Sequence, residues 1–307
     1  MDSFRRSRLV SSSVPAFFAL VAAAAARAVA AVVAVVAVVV VAPAAAGADG
    51  PSSAAKQFRF KGSKVEVGSL YRYERTSLDA VKEGFLLVHV PARNKLIALR
   101  GEKGAATADE FLVDLDWENG GTASRFEWYT VGKDRSRRRA LTEEMATGTG
   151  VLSVTPEELS GSRIAPFQKG TVVVGHLPAH LAPLDLVTLG LAIRFMSEPR
   201  KEAQVGIVGD GVPGAFPFAY KGKATIRFVE LVNRDGNNAR KYAVTADFLA
   251  GAEAAVWVDD AKGHIVDVEI PLAAGGWKDL KYYLTSYSKS DDGGWEKARA
   301  EALATLK

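Results

Sequence analysis

The residues of this chain that could do chemistry are four histidines, a few clustered carboxylates and one glycine-rich run. His176 and His180 have the i, i+4 spacing that would set two imidazoles on one helix face as metal ligands. Pro178 lies between them and no glutamate follows His176, so the pair reads as a loop ahead of a helix. His89 and His264 stand alone. Asp259, Asp260, Asp267 and Glu269 gather around one strand–turn–strand, where paired carboxylates could hold calcium or share a proton. Their spacing is not that of a calcium loop, and acidic hairpin tips serve solubility. Asp114, Asp116 and Glu118 alternate, which marks the solvent side of a strand. Gly206-Ile207-Val208-Gly209-Asp210-Gly211 lacks the Lys-Ser/Thr of a phosphate loop, and Pro213 and Pro217 forbid a following helix, so it reads as a loop. No Gly-x-Ser-x-Gly occurs. There is no cysteine, hence no disulfide, thiolate metal site or lipid anchor on a cysteine. The expectation is a chain with no catalytic residue, no metal and no cofactor: not an enzyme.

The aromatic residues are more suggestive. Phe58, Phe60, Tyr71, Tyr73, Trp128, Phe228, Trp257, Tyr282 and Leu284 fall on alternating positions of strand-like segments. Such a set makes either an ordinary core or the lining of a concave apolar pocket for an acyl chain. The candidate ligand-binding residues are Trp128, Phe228, Trp257 and Tyr282, with Leu186 and Phe195 from an apolar helix.

The elements that must position them are mostly strands. Leu70 opens a run of strand-favouring aromatics. Residues 85–90 and 96–99 are joined by a link short enough for a hairpin. Residues 111–117 and 126–131 flank Asn119-Gly120, a strong hairpin signal. Residues 139–145 fold back across Lys133-Asp134-Arg135-Ser136-Arg137-Arg138-Arg139, which reads as a solvated tip. Further strands are expected at 204–208, 225–232, 241–248, 255–259, 265–270 and 277–287, and a terminal amphipathic helix at 295–306. Closely spaced strands with short turns mean an antiparallel meander rather than βαβ units. Residues 183–196 break the pattern: opened by Pro183 and closed by Glu198-Pro199, they are apolar nearly all round. A helix of that kind should be buried on most sides, which in a β-rich chain calls for a sheet curved enough to hold it; the alternative is an ordinary helix packed on a flat sheet face.

The first 48 residues give an address. Arg5, Arg6 and Arg8 form a basic head, and an apolar stretch from 14 to 42 is broken only by Arg27. Pro43-Ala44-Ala45-Ala46-Gly47-Ala48 then carries small residues before a cut after Ala48. That is the layout of a secretory signal; a retained membrane anchor is the alternative. The net charge is +4, of which the four arginines and one aspartate of this segment supply +3. The remainder is near neutral, which excludes a nucleic-acid binder as the default. The expected organisation is a signal or anchor at 1–48, a Gly/Pro/Ser/Ala linker at 49–55, and one β-rich domain at 56–307.

Three pieces carry a resemblance: the helix opened by Pro183-Leu184-Asp185; the strand–turn–strand 228–242 carrying Glu230; and Val256-Trp257-Val258 with the acidic turn Asp259-Asp260 and the return strand to Ile270. Over about a third of the chain, this stretch resembles a family of exported bacterial proteins of uncharacterised function. Their domain is related in shape to the half-open β-barrels that carry lipids or lipoproteins across the periplasm. The resemblance implies a mainly β fold, a curved antiparallel sheet (half-open barrel) with one buried apolar helix, to which the sequence adds a short C-terminal helix. It transfers no catalytic residue. The expected function is that of a non-enzymatic protein of the periplasm or outer side of the membrane. It binds a lipid or other hydrophobic ligand and no nucleic acid, and meets the membrane through its N-terminal segment if that is uncleaved. The alternative is an N-terminally anchored structural or protein-interaction module.

Overall fold

A computed structural model describes residues 65–146, 150–156, 169–181, 187–194, 196, 198–210, 218–234, 236–271 and 279–307. The expected signal or anchor at 1–48 and the linker at 49–55 lie outside these residues. Among those described, no helix is long and apolar enough to cross a membrane.

The strands are β1 (Ser69–Thr76), β2 (Glu83–Ala92), β3 (Lys95–Glu102), β4 (Thr107–Asp116), β5 (Thr122–Gly132), β6 (Arg137–Ala146), β7 (Val151–Pro156), β8 (Gly170–Val173), β9 (Ala179–Leu181), β10 (Ala203–Asp210), β11 (Phe218–Arg234), β12 (Asn237–Ala246), β13 (Glu253–Asp259), β14 (Ile265–Ile270) and β15 (Leu280–Lys289). Helix α1 (Val187–Arg194) lies between β9 and β10, and α2 (Asp292–Leu303) ends the chain. All fifteen strands form one sheet in the order β8-β7-β6-β5-β4-β3-β2-β1-β15-β14-β13-β12-β11-β10-β9. It is two sequence-contiguous meanders, β1–β8 and β9–β15, joined where β1 pairs with β15. Only the β9–β10 pair is parallel.

The connectivity forces the curvature. Laid flat, fifteen strands would hold their edges about 65 Å apart. Yet β8 and β9 are those two edges, and the chain passes from Val173 to Ala179 directly, a stretch that reaches at most about 20 Å. The sheet therefore curls until its ends meet. They meet through side chains: the Ala179 amide donates to Thr122 Oγ1 of β5 at 3.1 Å, and Phe218 of β11 packs edge-on against Phe126 of β5 at 6.3 Å. Among the described residues no ladder joins the two edges, so the barrel is half-open.

The concave face holds the main core, with Leu86, Phe111, Phe126, Leu141, Tyr242 and Tyr282 buried. Helix α1 lies against it with residues 187 to 193 all buried. Gly190 makes this approach possible, because a Cβ there would stand 2.1 Å from Ile265 Cδ1. The convex face carries a second cluster, in which Trp295, Ala298, Leu303 and Leu306 cover Leu70, Phe85, Leu87, Leu99 and Val131. Asp291 caps α2 by accepting from the Gly294 amide at 2.9 Å. Arg299 of α2 donates to Glu110 Oε1 at 2.7 Å, and Arg137 reaches Glu110 Oε2 at 2.9 Å.

The expected mainly β, curved antiparallel sheet with one buried apolar helix and a short C-terminal helix is what the chain adopts, and both halves belong to one sheet. Several local expectations change. The apolar helix is described over Val187–Arg194 rather than 183–196, and the terminal helix starts at Asp292, three residues early. Gly206 to Asp210 is not a loop: it belongs to β10, whose glycine lets the His176 carbonyl come within 2.2 Å of where a Cβ would be. His180 is in strand β9, not a loop. Val67 and Gly68 form a turn before β1. The arginine tip is a hairpin turn, but Arg137 is engaged by Glu110 and stacks 3.5 Å over the Tyr129 ring.

Candidate functional site

The aromatic residues of the concave face converge where α1 crosses the β1–β15 junction. Alternation on β1 turns Tyr71 and Tyr73 inward, and Tyr282 joins them from β15. Tyr73 sits edge-on to Tyr282 at 5.4 Å and its hydroxyl donates to the Ile265 carbonyl at 3.2 Å. Full burial pushes its pKa well above that of a free phenol. These three rings, Val88, Ile265 and the Val187–Leu191–Arg194 face of α1 surround a void of about 10 Å³. That is room for about one water molecule. At this point of the concave face, among the described residues, α1 leaves almost no free space.

A polar cluster stands at the rim of this void. Arg194, the last residue of α1, donates from Nη1 to the Tyr71 hydroxyl at 2.7 Å. Tyr71 meets His264 edge-on at 5.3 Å, and His264 lies 4.0 Å from the Tyr287 ring. The Tyr287 hydroxyl donates to Glu66 Oε2 at 2.6 Å, and His264 Nε2 lies 3.4 Å from the same oxygen. Burial pushes the Glu66 carboxyl up, but the Tyr287 and His264 hydrogen bonds and the Arg194 charge outweigh it and hold the pKa below the usual carboxylate value. Burial and the Arg194 charge depress the His264 pKa against the opposing pull of Glu66 and Asp259.

Of the expected ligand-binding residues, four are described, and they lie at different places in the sheet. Tyr282 is at the void. Trp128 and Phe228 pack against the edge of the same core, half-buried; the Trp128 indole donates to Asp109 at 2.9 Å, and Phe228 leans on Tyr242 at 6.0 Å. Trp257 is on the opposite face, because Ala254, Val256 and Val258 take the inward positions of β13. Its ring lies under the Arg234 guanidinium at 4.2 Å. Leu186 and Phe195 lie outside the described residues. Glu66, Arg194 and Tyr287 were not singled out by the sequence, and nothing local marks them; only the β1–β15 pairing and the return of α1 bring them together.

The other candidate groups are dispersed. Asp267 and Glu269 share Arg234 and Lys281 on the convex face, and burial raises the Asp267 carboxyl against the pull of those cations. Asp259 accepts from the Ala261 and Lys262 amides, and Asp260 pairs with Arg240. His180 is fully buried with Nδ1 3.2 Å from the Thr188 hydroxyl, and His89 is stacked on Trp295. Among the described residues no group of three His, Asp or Glu is placed to hold a metal ion.

Fold and site together define a half-open antiparallel β-barrel plugged by a short apolar helix. No protein-family model and no curated protein matches the chain. Two of the solved structures similar to it are the following. One is a β-barrel-like protein of the domain of unknown function DUF1849 from Brucella abortus, at 9% identity and TM-score 0.40, covering 73% of this chain and 98% of that one. The other is a putative outer membrane lipoprotein-sorting protein domain from Vibrio parahaemolyticus, at 10% identity and TM-score 0.26, covering 83% of this chain and 100% of that one.

Proposed function

We propose that this is an exported, non-enzymatic protein of the cell envelope whose concave face takes a hydrophobic ligand in the place now held by α1. The observation that carries this reading is the plug itself. An eight-residue helix with residues 187 to 193 buried occupies a trough about 12 Å long. Moving it aside would uncover a surface of Tyr71, Tyr73, Val88, Ile265 and Tyr282. Water wets such a surface poorly, and an acyl chain would cover it. Export rests on the basic head, apolar stretch and small-residue cut at 1–48.

A cross-link tests it. The chain has no cysteine, so a Gly190→Cys/Ile265→Cys pair would be the only thiols present. The Gly190 Cβ position is 3.3 Å from Ile265 Cγ1, close enough for a disulfide. Native mass spectrometry of the full chain with oleyl alcohol should show a ligand-bound mass in the reduced form and none in the oxidised form. Equal binding in both forms would remove α1 from the account, and a protein that stays bare in both would remove the ligand.

A second reading, a protein-interaction module, is favoured by the scant free space beneath α1. Its contact would be the short edge strand β8, where Val173 is 71% exposed and an extended segment of a partner could add to the sheet. A bare mass in the test above, with a partner strand cross-linking to β8, would decide for it.

A further inference from the structure

The polar cluster at the rim is an unusual neighbour for an apolar trough. The Glu66 carboxylate accepts from the Tyr287 hydroxyl and lies 3.4 Å from His264 Nε2, while the Arg194 guanidinium, donating to the Tyr71 hydroxyl, adds a positive charge nearby. Tyr71 is held on β1, Tyr287 on β15, and His264 just ahead of β14. All three are fixed by the sheet, and Arg194 adds its charge from the end of α1. Glu66 differs. It comes from the turn ahead of β1, where its carbonyl accepts from the Ser69 amide at 3.1 Å and hydroxyl at 2.5 Å. Its side chain is 36% exposed whereas His264 is 5%. A rotation about the Glu66 side chain would carry the carboxylate into water and leave the Tyr287 hydroxyl, the His264 ring and the Arg194 charge in place around one point. That point adjoins the void, since Tyr71 and Arg194 belong to both.

We propose that this donor set is the headgroup site for an amphiphile bearing a carboxylate or phosphate, and that Glu66 occupies it as an internal stand-in when no ligand is bound. The inference rests on the reading that α1 gives way to an apolar chain. A pivot of α1 about its Arg194 end keeps the guanidinium at the rim while the chain enters beneath. Hydrogen bonds from Tyr287 and His264 then hold the headgroup as they now hold Glu66, and the Arg194 charge draws it in.

The test compares oleate, oleyl alcohol and inorganic phosphate on the full chain, by titration calorimetry. Glu66→Gln removes the competing charge and should tighten oleate about tenfold, leaving oleyl alcohol unchanged. Arg194→Gln and Tyr287→Phe should weaken oleate by a similar factor and again spare oleyl alcohol. If Glu66→Gln proves unstable by thermal melt, the two donor variants decide. Oleate binding unchanged in all variants, with oleyl alcohol still bound, would overturn the headgroup site and leave the apolar reading standing. Inorganic phosphate binding as tightly as oleate would overturn the amphiphile in favour of a free anion. Absence of binding by either amphiphile to every variant would overturn both readings.

Discussion

Glu143 is a carboxyl with no counterpart. It faces inward from β6, as Leu141 and Met145 do on either side, and both its oxygens are buried without a hydrogen-bond partner. Burial pushes its pKa from an ordinary 4.5 up to about 8. In the unfolded chain it ionises near 4.5, and in the folded chain it holds its proton until about 8. Its contribution is thus intact below pH 4.5 and is lost as pH rises toward 8, by an amount on the order of 4 kcal/mol. Glu143→Gln should flatten this alkaline loss, so urea melts of the wild type at pH 5 and pH 9 should differ far more than those of the variant. His180 works in the opposite sense. Full burial depresses its pKa from 6.5 to about 3, so stability present above 6.5 drains as pH falls through that window. His180→Leu should flatten the acid limb in the same melts. Neither residue could be told apart in the sequence: Glu143 lies beside Glu144, which is exposed, and only the direction of β6 separates them. The same holds for Trp257. Its type pointed to a binding site, but the face a strand residue takes depends on bulges, such as those at Trp128/Tyr129 and Phe228/Glu230, that shift the alternation.

The helices are attached by different means, and each means can be broken separately. α2 clamps the convex face through Trp295 and Ala298 and through the buried Arg299–Glu110 pair. Arg299→Leu leaves Glu110 short of a partner and should cost about 3 kcal/mol. Adding Glu110→Leu should recover part of that in a double-mutant cycle read by thermal melts. α1 depends on close approach instead. Gly190→Val drives a branched side chain into Ile265 and should cost about 2 kcal/mol. Ile265→Ala in the same chain should return some of it, whereas Ile265→Ala alone should destabilise. The hairpins β2–β3, β4–β5 and β13–β14 were legible because period-two patterns flank compact turns. Strands β7, β8 and β9 were not. The last two have four and three residues, too few to show a period, and β9 finds its partner β10 only across α1.

At the scale of the whole molecule the seam is the weak line. The sheet's two ends are held together by Phe126 on Phe218 and by Thr122 under Ala179, with no continuous ladder between them among the described residues. Phe218→Ala should cost about 3 kcal/mol. Hydrogen exchange should rise first at β9 and β10, and only later at β2 and β3 in the middle of the sheet. Exchange rising uniformly would mean that the seam opens only with the whole fold. The sequence announced a curved sheet through one apolar helix that needed covering. How the curl closes was out of reach, because the contacts that close it join residues such as Thr122 and Ala179 across 57 positions.

The pairing of β1 with β15 also sets a clock on synthesis. β1 leaves the ribosome ahead of the other described elements, and its second partner begins only at Leu280. At about 5–20 residues per second, one edge of the first meander waits on the order of 10–40 s with its amides and carbonyls unpaired. Over that interval the nascent chain is an open template for any extended strand. The rate at which the chain beyond β8 is delivered, by the ribosome or by the export channel, would then govern, as much as the sequence of β1, how much of this protein reaches its folded form.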